Sequence, residues 1–420
     1  MLEQKLRVGI QEKPSSIGQW IILSLQHVFA MFGATVLVPL ITGLDVGVAL
    51  VASGIGTLIY IACTKGKVPV YLGSSFAYMT TITLAVENTG GFESAYLGLM
   101  VVGIIYVLVA GLIYLLGSTW IKKLLPPVVI GPMIIIIGMT LAPVAVSNIG
   151  LDGSGTWKEP LVAFITFISV VLFSIKGKGF FKIVPFLLAI LVGYIASMLV
   201  GIVDYSLFGN VSFFQIPNFH IIGTNNYNFD FSQLLVFAPL AFVTISEHIG
   251  DHVVLGEVTG EDFITDPGLH KTLLGDGLAT FVSGAIGGPA NTTYGENTGV
   301  VAITKVGSVW VIGLAAIFAI SLGFFGYIQA FITSIPWAVI GGMTVILYGL
   351  IASNGVKVLI KDHTDLGKMK NLVVVSTMLV LGLGNASIQL STSASLSGMS
   401  LAAIVGILLN LGLSYLDNQK

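Results

Sequence analysis

The sequence predicts an all-α polytopic membrane protein of fourteen spans, built as a seven-plus-seven inverted repeat. Three observations predict it: the poverty of charge, apolar runs of bilayer length, and the one-sided placement of the basic residues. Apolar residues make up 55% of the 420-residue chain, and Asp, Glu, Lys and Arg only 9%. A soluble domain carries about 25% charged residues. Water cannot solvate so uncharged a surface, so lipid must cover most of it, and soluble and nucleic-acid-binding classes are excluded. Runs such as Leu97 to Leu116 and Trp310 to Phe325 are solidly apolar. Their lengths approach the roughly 17–25 residues that cross a bilayer as helix. Barrel strands would alternate with period two, and backbone groups in lipid must pair internally, which selects helices. Cys63 is the only cysteine, so neither an intramolecular disulfide nor a cysteine-based metal site is expected. No small-residue cleavage site follows the first apolar run, which reads as a retained helix.

The fourteen runs lie near residues 17–38, 46–63, 72–86, 94–117, 124–147, 159–176, 180–203, 232–252, 268–286, 291–305, 308–330, 335–353, 371–384 and 396–416. The third, tenth and thirteenth are short and polar. Cytoplasmic loops carry an excess of Lys and Arg. With the N-terminus in the cytoplasm and the sides alternating, 17 of the 18 basic residues fall inside, among them Lys65, Lys67, Lys122, Lys123, Lys176, Lys178, Lys305 and Lys361. Only Lys158 falls outside. The longest outer loop, near 204–231, has no Lys or Arg. Omitting any mid-chain span scrambles this agreement. Both termini are therefore expected in the cytoplasm.

Four matches recur in order at offsets of 210 to 223. Gln26-His27 resembles Glu247-His248, and Gly54-Ile-Gly-Thr57 resembles Gly277-Leu-Ala-Thr280. Ser74-Ser-Phe-Ala-Tyr78 resembles Thr292-Thr-Tyr-Gly-Glu296, and Pro126-Pro-Val-Val-Ile-Gly-Pro-Met133 resembles Pro336-Trp-Ala-Val-Ile-Gly-Gly-Met343. Two halves of seven spans have opposite orientations, as in secondary transporters whose sites form near the midplane on discontinuous helices. The third and tenth spans suit that role, being short, polar at the start and interrupted by Gly.

Glu247, Asp251, Asp276 and Glu296 are acidic residues in or beside apolar spans. Such residues are expensive in lipid and default to function. Glu247 and Asp251, four apart, share a helix face; a structural hydrogen-bonded pair is the alternative. Asp276 lies near a span end, where a carboxylate also reaches water. His248 suits a satisfied core histidine, Gln26-His27 an interhelical hydrogen-bond pair, and Tyr348 an apolar filler with its hydroxyl satisfied. Phe76 and Tyr294 occupy matching repeat positions, where packing is the plainer role. No metal-ligand cluster is apparent, His-Glu-x-x-His and Gly-x-Ser-x-Gly are absent, and no cofactor is called for.

The stretch Glu296-Asn297-Thr298-Gly299-Val300-Val301-Ala302-Ile303-Thr304-Lys305 resembles the signature of the nucleobase–ascorbate transporter family. Gln26-His27 matches that family's Gln-His motif in the first span. Ser24 to Pro39, Tyr71 to Ala77, Asn291 to Asn297 and Val311 to Ile320 resemble its uracil permease branch, and the likeness covers nearly the whole chain. The resemblance implies a plasma-membrane uracil:proton symporter working by alternating access. It implies a core domain of 1–117 and 232–330 and a gate domain of 118–231 and 331–420. Spans 3 and 10 would each open with a short strand, the two pairing antiparallel. Glu247 and Glu296 would accept the ring N–H donors, and the backbone amides of Phe76 and Gly295 would face the ring carbonyls. Tyr294 and Phe76 would pack on the ring, Ala34 and Tyr348 would line the wall, and Gln26-His27 would brace the tenth span through Asn297. A homodimer through the gate domains is also implied.

Uracil has two N–H donors and two carbonyl acceptors; ionised carboxylates accept and backbone amides donate. Glu296, where the purine branch resembles Gln, favours uracil. Some uracil permeases have His where this chain has Asp251, so the expectation is that Glu247, Asp251 and Glu296 share the coupling proton, with Glu296 its main carrier. The alternatives are a xanthine or urate carrier of the same family and an anion or solute channel of related fold.

Overall fold

A computed structural model of the chain describes residues 6–89, 91–153, 155–209, 211–222, 232–384, 386–389 and 395–417. Each of the fourteen expected runs carries a principal helix. The first half has α1 (Ile17–Thr42), α2 (Val46–Cys63), strand β1 (Leu72–Ser74), a 3₁₀ turn at Phe76–Tyr78 that runs into α3 (Met79–Thr89), α4 (Glu93–Leu116), α5 (Pro127–Thr140), α6 (Lys158–Lys176) and α7 (Pro185–Val200). The second half has α8 (Ser232–Thr259), α9 (Leu269–Ala285), strand β2 (Asn291–Thr293), α10 (Gly295–Thr304), α11 (Val309–Gly323), α12 (Trp337–Lys361), α13 (Met369–Leu383) and α14 (Gly398–Asp417). Among the described residues, seven segments are long and apolar enough to cross a membrane: Ile17–Thr42, Val46–Cys63, Glu93–Leu116, Pro127–Asn148, Lys158–Lys176, Trp337–Lys361 and Gly398–Asp417. The protein is a multi-pass membrane protein.

Local chemistry sets the ends. Ser16 caps α1 by accepting from the Gln19 amide, and Gly43 closes it in the left-handed region at φ 79°, a conformation that costs Gly least. Asp45 accepts from the Val48 amide at 2.8 Å and starts α2. Pro126 and Pro336, matched in the repeat, are both extended residues immediately before α5 and α12.

The packing follows a two-fold exchange of the halves. α2 lies on its counterpart α9, and α5 on its counterpart α12. The contact of α4 with α9 is mirrored by α11 with α2, and that of α8 with α4 by α1 with α11. The contact of α6 with α12 is mirrored by α13 with α5. Matched glycines permit two of these approaches. A Cβ on Gly54 would stand 2.4 Å from the Ala316 carbonyl of α11, and one on Gly277 2.5 Å from Cβ of Tyr106 on α4.

β1 and β2 pair antiparallel, with Leu72 opposite Thr293, Gly73 opposite Thr292 and Ser74 opposite Asn291. These are the short strands expected at the heads of the broken spans. Several bounds differ from expectation. The fifth run is two helices, with Ala142–Asn148 following α5, because Pro143 supplies no N–H to continue the ladder. The eleventh is also two, Gly326–Thr333 following α11. α8 and α12 run on to Thr259 and Lys361, and a second strand pair, Ser387–Gln389 with Ser395–Ser397, precedes α14.

Candidate functional site

The site is built on the paired strands. Each is pinned by the second helix of its own half. Thr57 Oγ1 accepts from the Leu72 amide at 2.9 Å, and Ser53 Oγ donates to the Leu72 carbonyl at 2.7 Å. Thr280, matched to Thr57 in the repeat, donates to the Asn291 carbonyl at 3.0 Å. The Asn291 amide side chain donates to the carbonyls of Ala52 and Ala279, so it ties α2, α9 and β2 together. Beyond the strands, the Ser75 amide donates to Ala290 and the Tyr294 amide to Tyr71.

A half-helix follows each strand, and its first-turn N–H groups have no partner within the helix. Those ends also carry the positive pole of the helix dipole. Phe76 opens one half-helix and Gly295 the other. Gly295 is exposed, and a Cβ there would meet nothing within 4 Å. Open space therefore lies at the head of α10.

Three carboxylates gather beside it. Glu296 is in the first turn of α10. Glu247 and Asp251 lie one turn apart on α8, and Thr293 Oγ1 donates to Asp251 Oδ2 at 2.5 Å, joining α8 to β2. The three lie within electrostatic reach of one another. All are half-buried, and none is in an ion pair among the described residues. Among the described residues, no group of three His, Cys, Asp or Glu side chains suits a metal ion.

Aromatic and apolar residues complete the wall. Phe76 is half-buried and packs against all three large core clusters. The Tyr294 ring lies where a Gly73 side chain would be, 2.4 Å from that ideal Cβ. Its hydroxyl donates to the Ser74 carbonyl at 2.9 Å and accepts from Thr35 at 3.3 Å. Ala34 shares a cluster with Tyr294. Tyr348 of α12 is buried in another cluster with Phe76 beside it. Its hydroxyl, expected to be satisfied, has no partner among the described residues.

The Asn297 side-chain amide donates to the His27 carbonyl at 3.1 Å and lies 3.1 Å from His27 Nδ1. That contact joins α10 to α1. Gln26 sits beside it with Oε1 buried and unpartnered among the described residues. Sequence reasoning missed Thr293, Thr35 and Ser53. Thr57 and Thr280 stand at matched repeat positions, and that recurrence was the available signal.

Comparison with known proteins agrees with this architecture. A family model described as a permease family matches residues 18–391. The chain is 47% identical to the uracil permease of Bacillus caldolyticus over 408 residues, covering 96% of this chain and 94% of that one. It is 45% identical to the uracil permease of Bacillus subtilis, with 98% and 96% covered, and 41% identical to that of Escherichia coli, with 96% and 93% covered. Among solved structures, the transmembrane domain of the cyanobacterial bicarbonate transporter BicA superposes with a TM-score of 0.64 at 16% identity, covering 95% of this chain and 98% of that one. The murine anion transporter, member A9 of solute carrier family 26, superposes with a TM-score of 0.69 at 11% identity, covering 97% and 69%. These two share the seven-plus-seven fold. With the signature at Glu296, the Gln26-His27 pair and the full-length match to permeases, the chain belongs to the nucleobase–ascorbate permease family and is a transporter, not an enzyme.

Proposed function

We propose that this protein imports uracil together with a proton across the plasma membrane, by alternating access. The uracil permeases among its relatives support the substrate. The observation that carries the reading is the meeting of two kinds of group at the strand pair: carboxylates of Glu247 and Glu296, and the first-turn amides of Phe76 and Gly295. Carboxylates accept from the two ring N–H groups and amides donate to the ring carbonyls. Tyr294 and Phe76 pack on the ring, Ala34 and Tyr348 line the wall, and His27 and Asn297 hold α10 in place, with Gln26 next to them on α1.

Glu247, Asp251 and Glu296 share the coupling proton, Glu296 carrying it most. Neutralising one of three neighbouring carboxylates removes part of the cost of burying them with uracil. The core, 1–117 and 232–330, then moves against the gate, 118–231 and 331–420, which also supplies a homodimer contact. Both termini face the cytoplasm. A proton-motive force of about 100 mV supplies roughly 2.3 kcal/mol per proton, enough for about fifty-fold accumulation.

The test is uptake of radiolabelled uracil into proteoliposomes under an inward proton gradient. Accumulation that vanishes when the gradient is collapsed, and that unlabelled uracil but not xanthine displaces, is the expected result. Flux that only equilibrates removes the coupling, and displacement by xanthine transfers the substrate to the purines.

A further inference from the structure

Behind the site, α8 presents a second polar face. His248 and His252 each follow a site carboxylate in sequence, so they lie about 100° around the helix from Glu247 and Asp251. They face α9 and α2, where Asp276 and Tyr60 meet them. The four residues, Tyr60, His248, His252 and Asp276, have 0% exposure. His248 Nδ1 lies 2.8 Å from Asp276 Oδ2. His252 Nδ1 lies 2.6 Å from the His248 carbonyl. A carbonyl only accepts, so this nitrogen carries the hydrogen of neutral His252. Its Nε2 is then the acceptor for the Tyr60 hydroxyl, which it contacts. The two imidazole rings are 4.0 Å apart between centroids.

Glue between three helices would be fully satisfied, since buried polar atoms rarely lack partners. Here two atoms at the centre are open. His248 Nε2 and Asp276 Oδ1 are both buried without a partner among the described residues. The pair has room for one more proton. Nδ1–H of neutral His248 donates to the Asp276 carboxylate; a proton arriving at Nε2 makes an imidazolium whose charge that carboxylate balances. Its titratable surroundings are Glu247 and Asp251 on α8, Tyr106 on α4, Tyr78 in the 3₁₀ turn, and Tyr60 with Cys63 on α2.

We propose that His248 and Asp276 form a second proton-holding site behind α8, which takes the coupling proton from the carboxylates in front of it, while His252 and Tyr60 hold the pair in place. The inference rests on the proton-coupled reading above. His248 Nε2 gains the proton that a site carboxylic acid loses, and gives it up again on release, leaving the pair as it began.

The test separates uracil exchange from gradient-driven accumulation in proteoliposomes. Exchange of labelled for unlabelled uracil needs no net proton release. Asp276→Asn and His248→Gln are expected to keep exchange within about twofold and to lose at least about tenfold in accumulation, in the range that proton-transfer groups contribute. Exchange and accumulation falling together would show a structural role only and overturn the proposal, as would both staying unchanged. Tyr60→Phe, which removes a single hydroxyl from the same cluster, guards against misfolding: it should keep both exchange and accumulation within about twofold, and a loss of accumulation equal to that of Asp276→Asn would mark packing of the cluster and overturn the proposal. A wild-type protein that exchanges uracil but ignores the gradient would remove the coupling itself, and this site with it.

Discussion

Gly73 is the residue on which the site's geometry turns most sharply. The Tyr294 ring occupies the space of its missing side chain, and Thr35 Oγ1 stands 2.8 Å from the same ideal Cβ. Gly73→Ala therefore forces Tyr294 off its Ser74 hydrogen bond. Overpacking of this kind costs about 1–3 kcal/mol. The expected outcome is a folded protein whose uracil affinity, measured by titration calorimetry, falls about tenfold or more; unchanged affinity would show that the ring does not face the substrate. Glu296→Gln keeps a carbonyl acceptor and loses the titratable group. Uracil binding should survive with a loss of about tenfold, while uptake stops responding to a pH gradient; uptake that still responds removes Glu296 from the coupling. Glu247 and Glu296 were legible because charged groups in apolar runs are conspicuous, and His27 with Asn297 through the family resemblance. Tyr60, Thr293 and Thr35 were not, since Tyr and Thr are ordinary in membrane helices and acquire a role only from what stands opposite. His252 left a trace, its four-residue spacing from His248, but that spacing alone does not reveal Asp276 or Tyr60 across the interface.

At the scale of the element, the repeat was the most informative part of the sequence. Its four short matches fall where both halves need the same physical solution: proline before α5 and α12, a threonine pinning each strand, a glycine where α2 meets α11 and α9 meets α4. Lengths were read less well. Apolar patterning shows where a helix lies in lipid but not where it leaves, so the extensions of α8 and α12 beyond the apolar run were missed. The break before Ala142–Asn148 was written in Pro143 and overlooked. The glycine contacts make a test. On Gly277 a larger side chain meets Tyr106 Cβ at 2.5 Å and the Gly103 carbonyl at 2.9 Å from its first carbon. One of these is backbone and the other is fixed to it, so neither can swing aside. Gly277→Leu should destabilise by at least about 1–3 kcal/mol and lower the melting temperature in detergent. Gly54→Leu should do the same through the Ala316 carbonyl. A protein indifferent to both would mean that α4, α9, α2 and α11 pack less closely than described.

For the whole molecule, the distribution of charge makes a claim about sidedness that the packing supports from a separate direction. Lys67, after α2, pairs with Asp266, before α9, at 2.6 Å. Lys361, at the end of α12, contacts Glu257 near the end of α8. Each pair joins loops that the basic-residue count assigns to the same side, although the partners are 199 and 104 residues apart in sequence. Both pairs are largely exposed, where ion pairs contribute only about 0–1 kcal/mol, so they report proximity more than stability. If that shared side is the cytoplasm, the loop after α6 with Lys176, Lys178 and Lys182 lies inside, and the Lys- and Arg-free segment after α7 lies outside. In a Cys63→Ser background, Ser206→Cys should react with a membrane-impermeant maleimide added to right-side-out vesicles. Lys178→Cys should stay unlabelled until the vesicles are permeabilised. The reverse pattern would invert the protein in the membrane and with it the direction in which the proton gradient drives uracil. Labelling of both without permeabilisation would break the alternation of spans on which the inverted repeat depends.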